Sequence, residues 1–292
     1  MAIVIVTVVA VAWSVFTGRA GLPAVAYLAG GCLIAAISWL DDLRTVPNRV
    51  RFLCHLVGAC LLIAALWPGL PRLPLGVSWW LGAPLAALWI VAVTNIYNFM
   101  DGIDGLAGGQ AFVAATWWTA FAVAAGMTGV ATLALAVAAA SAGFLLHNWA
   151  PARIFMGDVG SAFLGYTFAV LPLFALEERG RWVALLGGAL ALWPFLFDGT
   201  LTIVRRLLRG ENIFRAHRSH LYQRLVIHGY SHAAVSLVYI AYAVFSALSA
   251  WVVAQSGGLA PIIVPLILGI GLFLWVSGVE RRAQRRPVPR NS

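Results

Sequence analysis

The sequence predicts an all-α, polytopic bundle of about ten transmembrane helices, with its chemistry gathered at one membrane face. Three observations carry this. Hydrophobic residues make up 62% of the chain and charged residues only 10%, with 13 tryptophans, a composition far from that of soluble domains. The apolar runs reach the length that crosses a bilayer. Charge, Asp198 apart, is confined to the connections and alternates from one connection to the next.

Ten stretches read as spans: 2–17, 22–40, 52–67, 79–97, 107–126, 128–147, 161–176, 182–204, 233–255 and 259–279. The connections 41–51, 98–106, 148–160, 205–232 and the tail from 280 hold fifteen of the nineteen arginines, and the other set holds Arg19, Arg72, Arg179 and Arg181. By the positive-inside rule the first set is cytoplasmic, together with both termini. The organisation is one transmembrane domain, 1–279, and a basic tail, 280–292, suited to anionic lipid. All basic residues are Arg, and the net charge of +9 reports orientation and lipid contact rather than nucleic acid. Cys32, Cys54 and Cys60 sit in apolar stretches with no CxxC or His pairing, as small core residues do. The first span has Arg19 after it and no basic residue before it. An upstream basic segment is expected to resolve that local bias.

The polar stretch TNIYNFMDGIDGLAGGQ, 94–110, interrupts the apolar wall with Asn95, Asn98, Asp101 and Asp104. Ionisable groups at a membrane edge are costly and mark function. Helix capping accounts for one such Asp, not for two with two Asn. Gly102, Gly105, Gly108 and Gly109 are expected to release the backbone from the helix and let it approach a ligand. The first loop, SWLDDLRTVPNRVRF, sets Asp41 and Asp42 at a helix end where both can reach a metal. Arg44, Arg49 and Arg51 behind them can hold phosphate or snorkel to headgroups. The third loop, HNWAPARIFMGDVGSAFLG, breaks at Pro151 and presents Asn148, Phe155 and Asp158; Phe155 either packs or stacks on a base. The fourth carries four of the six histidines, and its centre, His217 to His220, fits no zinc spacing and points to phosphate or sugar contact. Asp198 is either a partner to the site or a helix-end charge. Five aspartates from three loops on one face suit interfacial chemistry joining a soluble substrate to a lipid, whereas transporters set charges near the midplane.

LDD, NxxNFMDGIDGLAGG, FMGDVGS and AHRSH, in this order and spacing, resemble the polyprenyl-phosphate N-acetylhexosamine-1-phosphate transferases (glycosyltransferase family 4, with phospho-N-acetylmuramoyl-pentapeptide transferase) over nearly the whole chain. The resemblance implies that undecaprenyl phosphate attacks the β-phosphate of a UDP-N-acetyl-amino sugar on the cytoplasmic face of the bacterial inner membrane, releasing UMP. It implies Asp41 and Asp42 as the catalytic pair and Asp158 as the ligand of Mg2+, with Mn2+ an alternative. Asn95, Asn98, Asp101 and Asp104 fall at nucleotide-site positions, Phe155 at the uracil-stacking position, and Asn148 at a further matching polar position of the substrate site. Arg218 and His220 are expected at the sugar-phosphate end. A cation fits the chemistry, because two phosphate-bearing anions must be brought together.

The histidine-rich run common in the family reads SHLYQ here, with Tyr222 and Gln223 in place of the last two histidines. That departs from the muramoyl-pentapeptide enzymes. It points to the O-antigen initiating branch, with UDP-N-acetyl-fucosamine or -quinovosamine as donor and UDP-GlcNAc still open. The expected partners are the UDP-sugar, undecaprenyl phosphate and membrane lipid, with no nucleic acid; a homodimer is compatible. The rival functions are a lipid-linked-sugar flippase, a non-catalytic scaffold, and the UDP-MurNAc-pentapeptide transferase of peptidoglycan synthesis.

Overall fold

A computed structural model describes residues 1–66, 79–179, 183–212 and 217–284. These residues form helices and no strands. In order they are α1 (Ala2–Phe16), α2 (Leu22–Leu43), α3 (Asn48–Leu66), α4 (Trp79–Phe99), α5 (Leu106–Ala124), α6 (Thr128–Asn148), α7 (Gly157–Arg179), α8 (Val183–Ala191), α9 (Trp193–Leu208), the short α10 (Leu221–Ile227), α11 (His232–Ser256) and α12 (Ile263–Gln284). Seven are long and apolar enough to cross a membrane, eight if α8 and α9 count as one bent span. The chain is therefore a polytopic helical membrane protein. Arg72, Arg181 and the tail beyond Gln284 lie outside the described residues, and α12 carries the helix past the expected start of that tail.

Helix α7 is the hub. Its span is 94% buried inside the bundle, against 22–44% for the other single-helix spans, so the rest of the bundle encloses it while the outer helices turn a face to lipid. The sequence SAFLGYTFAVLPLFAL explains this, being apolar or small on every side. Between helices in lipid the hydrophobic effect contributes little, and association relies on close packing and interhelical hydrogen bonds. Both are present. Gly165 lets α4 approach so closely that a Cβ there would lie 2.8 Å from Thr94 Cα, and the Trp89 indole donates to Ala169 O at 3.0 Å. On the other side, Tyr27 of α2 bonds the Thr167 hydroxyl at 2.8 Å and stacks on Tyr166.

The expected continuous span at 182–204 is instead two helices bent by 77° at Leu192. Pro194, in the first turn of α9, has no N–H to continue the α8 ladder. The break strands carbonyls that hydrocarbon cannot solvate. Buried Gln110 of α5 answers one of them, its side-chain amide donating to Ala191 O at 2.8 Å. A second correction concerns the glycines of the DGIDGLAGG stretch. Gly105 ends the loop in the left-handed region, φ 77°, but Gly108 and Gly109 are helical in α5, where a Cβ would press on Phe144 and Ile240 respectively. Those two serve helix packing, not the loop.

Candidate active site

The ends of α2, α4 and α6 and the starts of α3, α5 and α7 meet at one end of the bundle. Asp41 and Asp42 occupy the last turn of α2 and diverge, as neighbours on a helix must. Asp41 accepts from the Val46 backbone at 2.8 Å and forms an ion pair with Arg51, from the first turns of α3. The same guanidinium reaches Asp158, at 2.6 Å through its other terminal nitrogen. Arg51 thus bridges carboxylates from α2 and α7. Asp42 points instead at the start of α7, where it accepts from the Asp158 backbone N–H at 3.4 Å. That approach depends on Gly157, which sits at φ +67°; a Cβ there would lie 3.0 Å from Asp42 Oδ2.

Asp101, just past the end of α4, completes the group. Its carboxyl is pushed up to about 7 by burial first, then by the negative charges of Asp158 and Asp42. Asn98, one turn back, turns its Oδ1 to the Ser161 hydroxyl at 2.5 Å, which also lies 3.0 Å from Gly157 O. Asn95 sits a further turn down in α4, donating to Val91 O at 2.7 Å and meeting His55 Nδ1 at 3.2 Å.

Asp104, Asn148 and Phe155 form a second lobe. Asn148 is buried with both amide ends engaged, Oδ1 accepting from Gly105 N at 3.0 Å and Nδ2 donating to Ile154 O at 2.9 Å. It staples the second loop to the third and holds up Phe155, whose ring is 77% exposed. Asp104 accepts from Ala152 N at 3.1 Å and lies 3.4 Å from His232 Nδ1.

The fourth loop is fastened from within. Asp198 is fully buried and receives five donors: the backbone N–H groups of Leu221 and Tyr222 at 2.9 and 3.3 Å, the Tyr239 hydroxyl at 2.6 Å, Thr202 at 3.2 Å and His220 Nδ1 at 3.3 Å. His220 therefore faces inward and is 2% exposed. Tyr222 carries the loop to the second one, donating to Phe99 O at 3.0 Å. His217 is held near 4 by burial and by the positive groups His220 and Arg206, so it is neutral and accepts from Ser219 at 2.8 Å. Arg218 is exposed and lies among arginines of α9 and α10 rather than against the carboxylates.

Sequence reasoning named Arg51 only as one of three arginines able to hold phosphate. It left Asp198 undecided and did not single out His232. In chemistry the oxygens of Asp42, Asp101 and Asp158 are of the kind a hard divalent cation prefers, and the charges of Asp158 and Asp42 already raise Asp101. Among the described residues no three carboxylate, imidazole or thiolate groups stand close enough to form a ready-made metal site; Arg51 supplies the positive charge between Asp41 and Asp158.

Comparison with known proteins follows the same lines. Residues 24–175 match glycosyl transferase family 4. A probable undecaprenyl-phosphate N-acetylglucosaminyl 1-phosphate transferase of Bacillus subtilis is 34% identical over 229 residues, covering 74% of this chain and 62% of that protein. A phospho-N-acetylmuramoyl-pentapeptide-transferase of Moorella thermoacetica is 35% identical over 170 residues, 58% of this chain and 52% of the relative. A decaprenyl-phosphate N-acetylglucosaminephosphotransferase of Mycobacterium tuberculosis is 31% identical over 255 residues, 76% and 61%. The chain thus spans less than two thirds of the length of these relatives. The matched segment runs from α2 into α7 and contains every carboxylate of the bridged cluster, and on that ground the chain belongs to glycosyl transferase family 4.

Proposed function

We propose that the chain transfers an N-acetyl-amino-sugar 1-phosphate from a UDP-sugar to undecaprenyl phosphate, releasing UMP and starting a lipid-linked glycan. An oxygen of the lipid phosphate forms the new bond to the β-phosphorus as the bond to UMP breaks. The observation that carries the reading is the cluster of Asp41, Asp42, Asp101 and Asp158 bridged by Arg51 at one end of a membrane bundle, where a lipid phosphate and a soluble nucleotide can meet. The arginine distribution supports the cytoplasmic side of a bacterial plasma membrane for that end.

The roles follow from placement. Mg2+ or Mn2+ would be held by Asp158 with Asp42 and Asp101, and would supply charge neutralisation of the diphosphate. Asp41 and Asp42, at the lipid-facing end of α2, act on the acceptor phosphate. Arg51, able to donate through both terminal nitrogens, holds a phosphate oxygen while keeping Asp41 and Asp158 in register. Asp104 and the exposed ring of Phe155 take the nucleoside, the ring by stacking, and buried Asn148 holds together the two loops that carry them. Asn95 supports Asn98 from one turn below, and His220, turned inward to Asp198, acts only by bracing the fourth loop. The names of the Bacillus and Mycobacterium relatives favour N-acetylglucosamine as the sugar, while the SHLYQ run favours an O-antigen type donor over the muramoyl-pentapeptide.

The test is UMP release from a panel of UDP-N-acetyl sugars by the purified chain with undecaprenyl phosphate and magnesium. Asp158→Asn keeps the shape and removes the charge, and is expected to lower turnover at least a hundredfold. Asp41→Asn and Asp42→Asn are expected to impair turnover more than UDP-sugar binding. Near-normal turnover by Asp158→Asn, or full activity in excess chelator, would overturn the assignment.

A further inference from the structure

Away from the carboxylates, where the last turn of α9 meets α10 and the end of α12, Arg205, Arg206, Arg209 and Arg224 line a cavity of about 180 Å³ with Glu280. Exposed Arg218 stands at its edge. Among the described residues, and even without Arg218, four guanidiniums face two carboxylates. Glu280 pairs with Arg224, while Glu211 lies 2.9 Å from Arg206 and 3.9 Å from Arg209. The side chain of Arg224 is only 18% exposed, and its Nη1 is buried without a hydrogen-bond partner. Leaving a buried guanidinium N–H without an acceptor is costly. Arg205 is braced over the Phe273 ring, 5.5 Å from its centroid. Surplus positive charge and a desolvated donor together call for an anion with several acceptor oxygens, and forked guanidiniums match phosphate.

The surroundings say what carries that phosphate. Ile227 lines the cavity and is 60% exposed. The cleft continues past Ile227 and Tyr230 to Val279 and Arg282. Apolar side chains bare to the surroundings beside clustered arginines at a helix end suit an amphiphile at the membrane interface. None of Asp41, Asp42, Asp101 or Asp158 lines either cleft.

We propose that this cleft is a binding site for the phosphate of an anionic phospholipid, with the acyl chains lying along Ile227, Tyr230 and Val279. The bound headgroup joins α9, α10 and α12. Because Leu221 and Tyr222 of α10 are fastened to Asp198, it also steadies the fourth loop. The proposal does not depend on the transferase reading, and its test measures binding alone.

The purified full chain in neutral detergent is titrated with phosphatidylglycerol or phosphatidylcholine, with retained lipid counted by native mass spectrometry and thermal unfolding followed in parallel. Phosphatidylglycerol is expected to be retained and to raise the melting temperature, and phosphatidylcholine to do neither. Arg205→Gln, which leaves the Arg224–Glu280 pair intact, and the double variant with Arg224→Gln are expected to lower phosphatidylglycerol retention about tenfold or more. Arg19→Gln, with the same change of charge at the opposite end of the bundle, is expected to match the wild type. Retention by Arg205→Gln equal to that of wild type would overturn the site. Displacement of the lipid by inorganic phosphate or UMP at equal phosphate concentration would overturn the lipid as occupant and assign the cleft to a free phosphate.

Discussion

At the scale of single residues, the bridge made by Arg51 is the contact on which the cluster depends. Removing its charge leaves Asp41 and Asp158 facing each other without a cation between them. Arg51→Gln is expected to lower turnover about ten- to a hundredfold, the scale of a lost charged hydrogen bond. Arg51→Lys, a point charge without the fork, is expected to recover only part of it; UMP release checks both. Asp101 gives a pH signature. Its carboxyl titrates near 7 in the fold, well above the usual carboxylate range, so between roughly 4 and 7 the folded chain holds a proton that the unfolded chain has released. Stability is therefore greatest on the acid side of that window and fades as pH rises through 7, by an amount on the order of a few kcal/mol. Melting temperatures between pH 5.5 and 8 in the absence of divalent cation should fall, and Asp101→Asn should flatten the slope. The aspartates themselves were legible in the sequence, because a carboxylate in an apolar wall is conspicuous. What Arg51 touches was not: its partners lie ten residues back and over a hundred residues ahead, and only the packing of α2 against both α3 and α7 brings them together.

At the scale of elements, two buried polar side chains fix the irregular parts. Asp198 holds the start of α10 through two backbone N–H groups and a tyrosine hydroxyl. Asp198→Asn turns an amide N–H toward donors that need an acceptor, and is expected to cost about 2–4 kcal/mol. The loop at 205–220 should then become open to limited proteolysis in membranes while α1 to α7 stay protected. Gln110→Leu strands the Ala191 carbonyl at the bend and should cost about 1–3 kcal/mol by thermal unfolding. The apolar stretches could be read by length, but of the ten expected spans seven are single helices long and apolar enough to cross, the stretch at 182–204 is a bent pair, and α1 is too short. The bend at Leu192 was masked by a hydropathy that never drops, although Pro194 marked it. The role of Asp198 was hidden because four of its five donors lie at least twenty residues away, on elements that meet it only after folding.

At the scale of the whole molecule, the polytopic helical class and the gathering of carboxylates at one end followed from composition and charge alternation, while the number of spans and the order of burial did not. Nothing in length or hydropathy separates α7 from α6, yet one is enclosed and the other turns a face to lipid. That difference is a property of the assembled bundle. It also sets a lifetime. Beyond its first turn, the amide protons of α7 have no route to solvent except the opening of the bundle as a unit, so deuterium exchange there should be slower than in any other helix and should track global unfolding. Asp158 rides on the first turn of this same helix. The carboxylate cluster should persist for as long as the fold does, and vanish with it, leaving no long-lived state in which the helices survive and the chemistry has come apart.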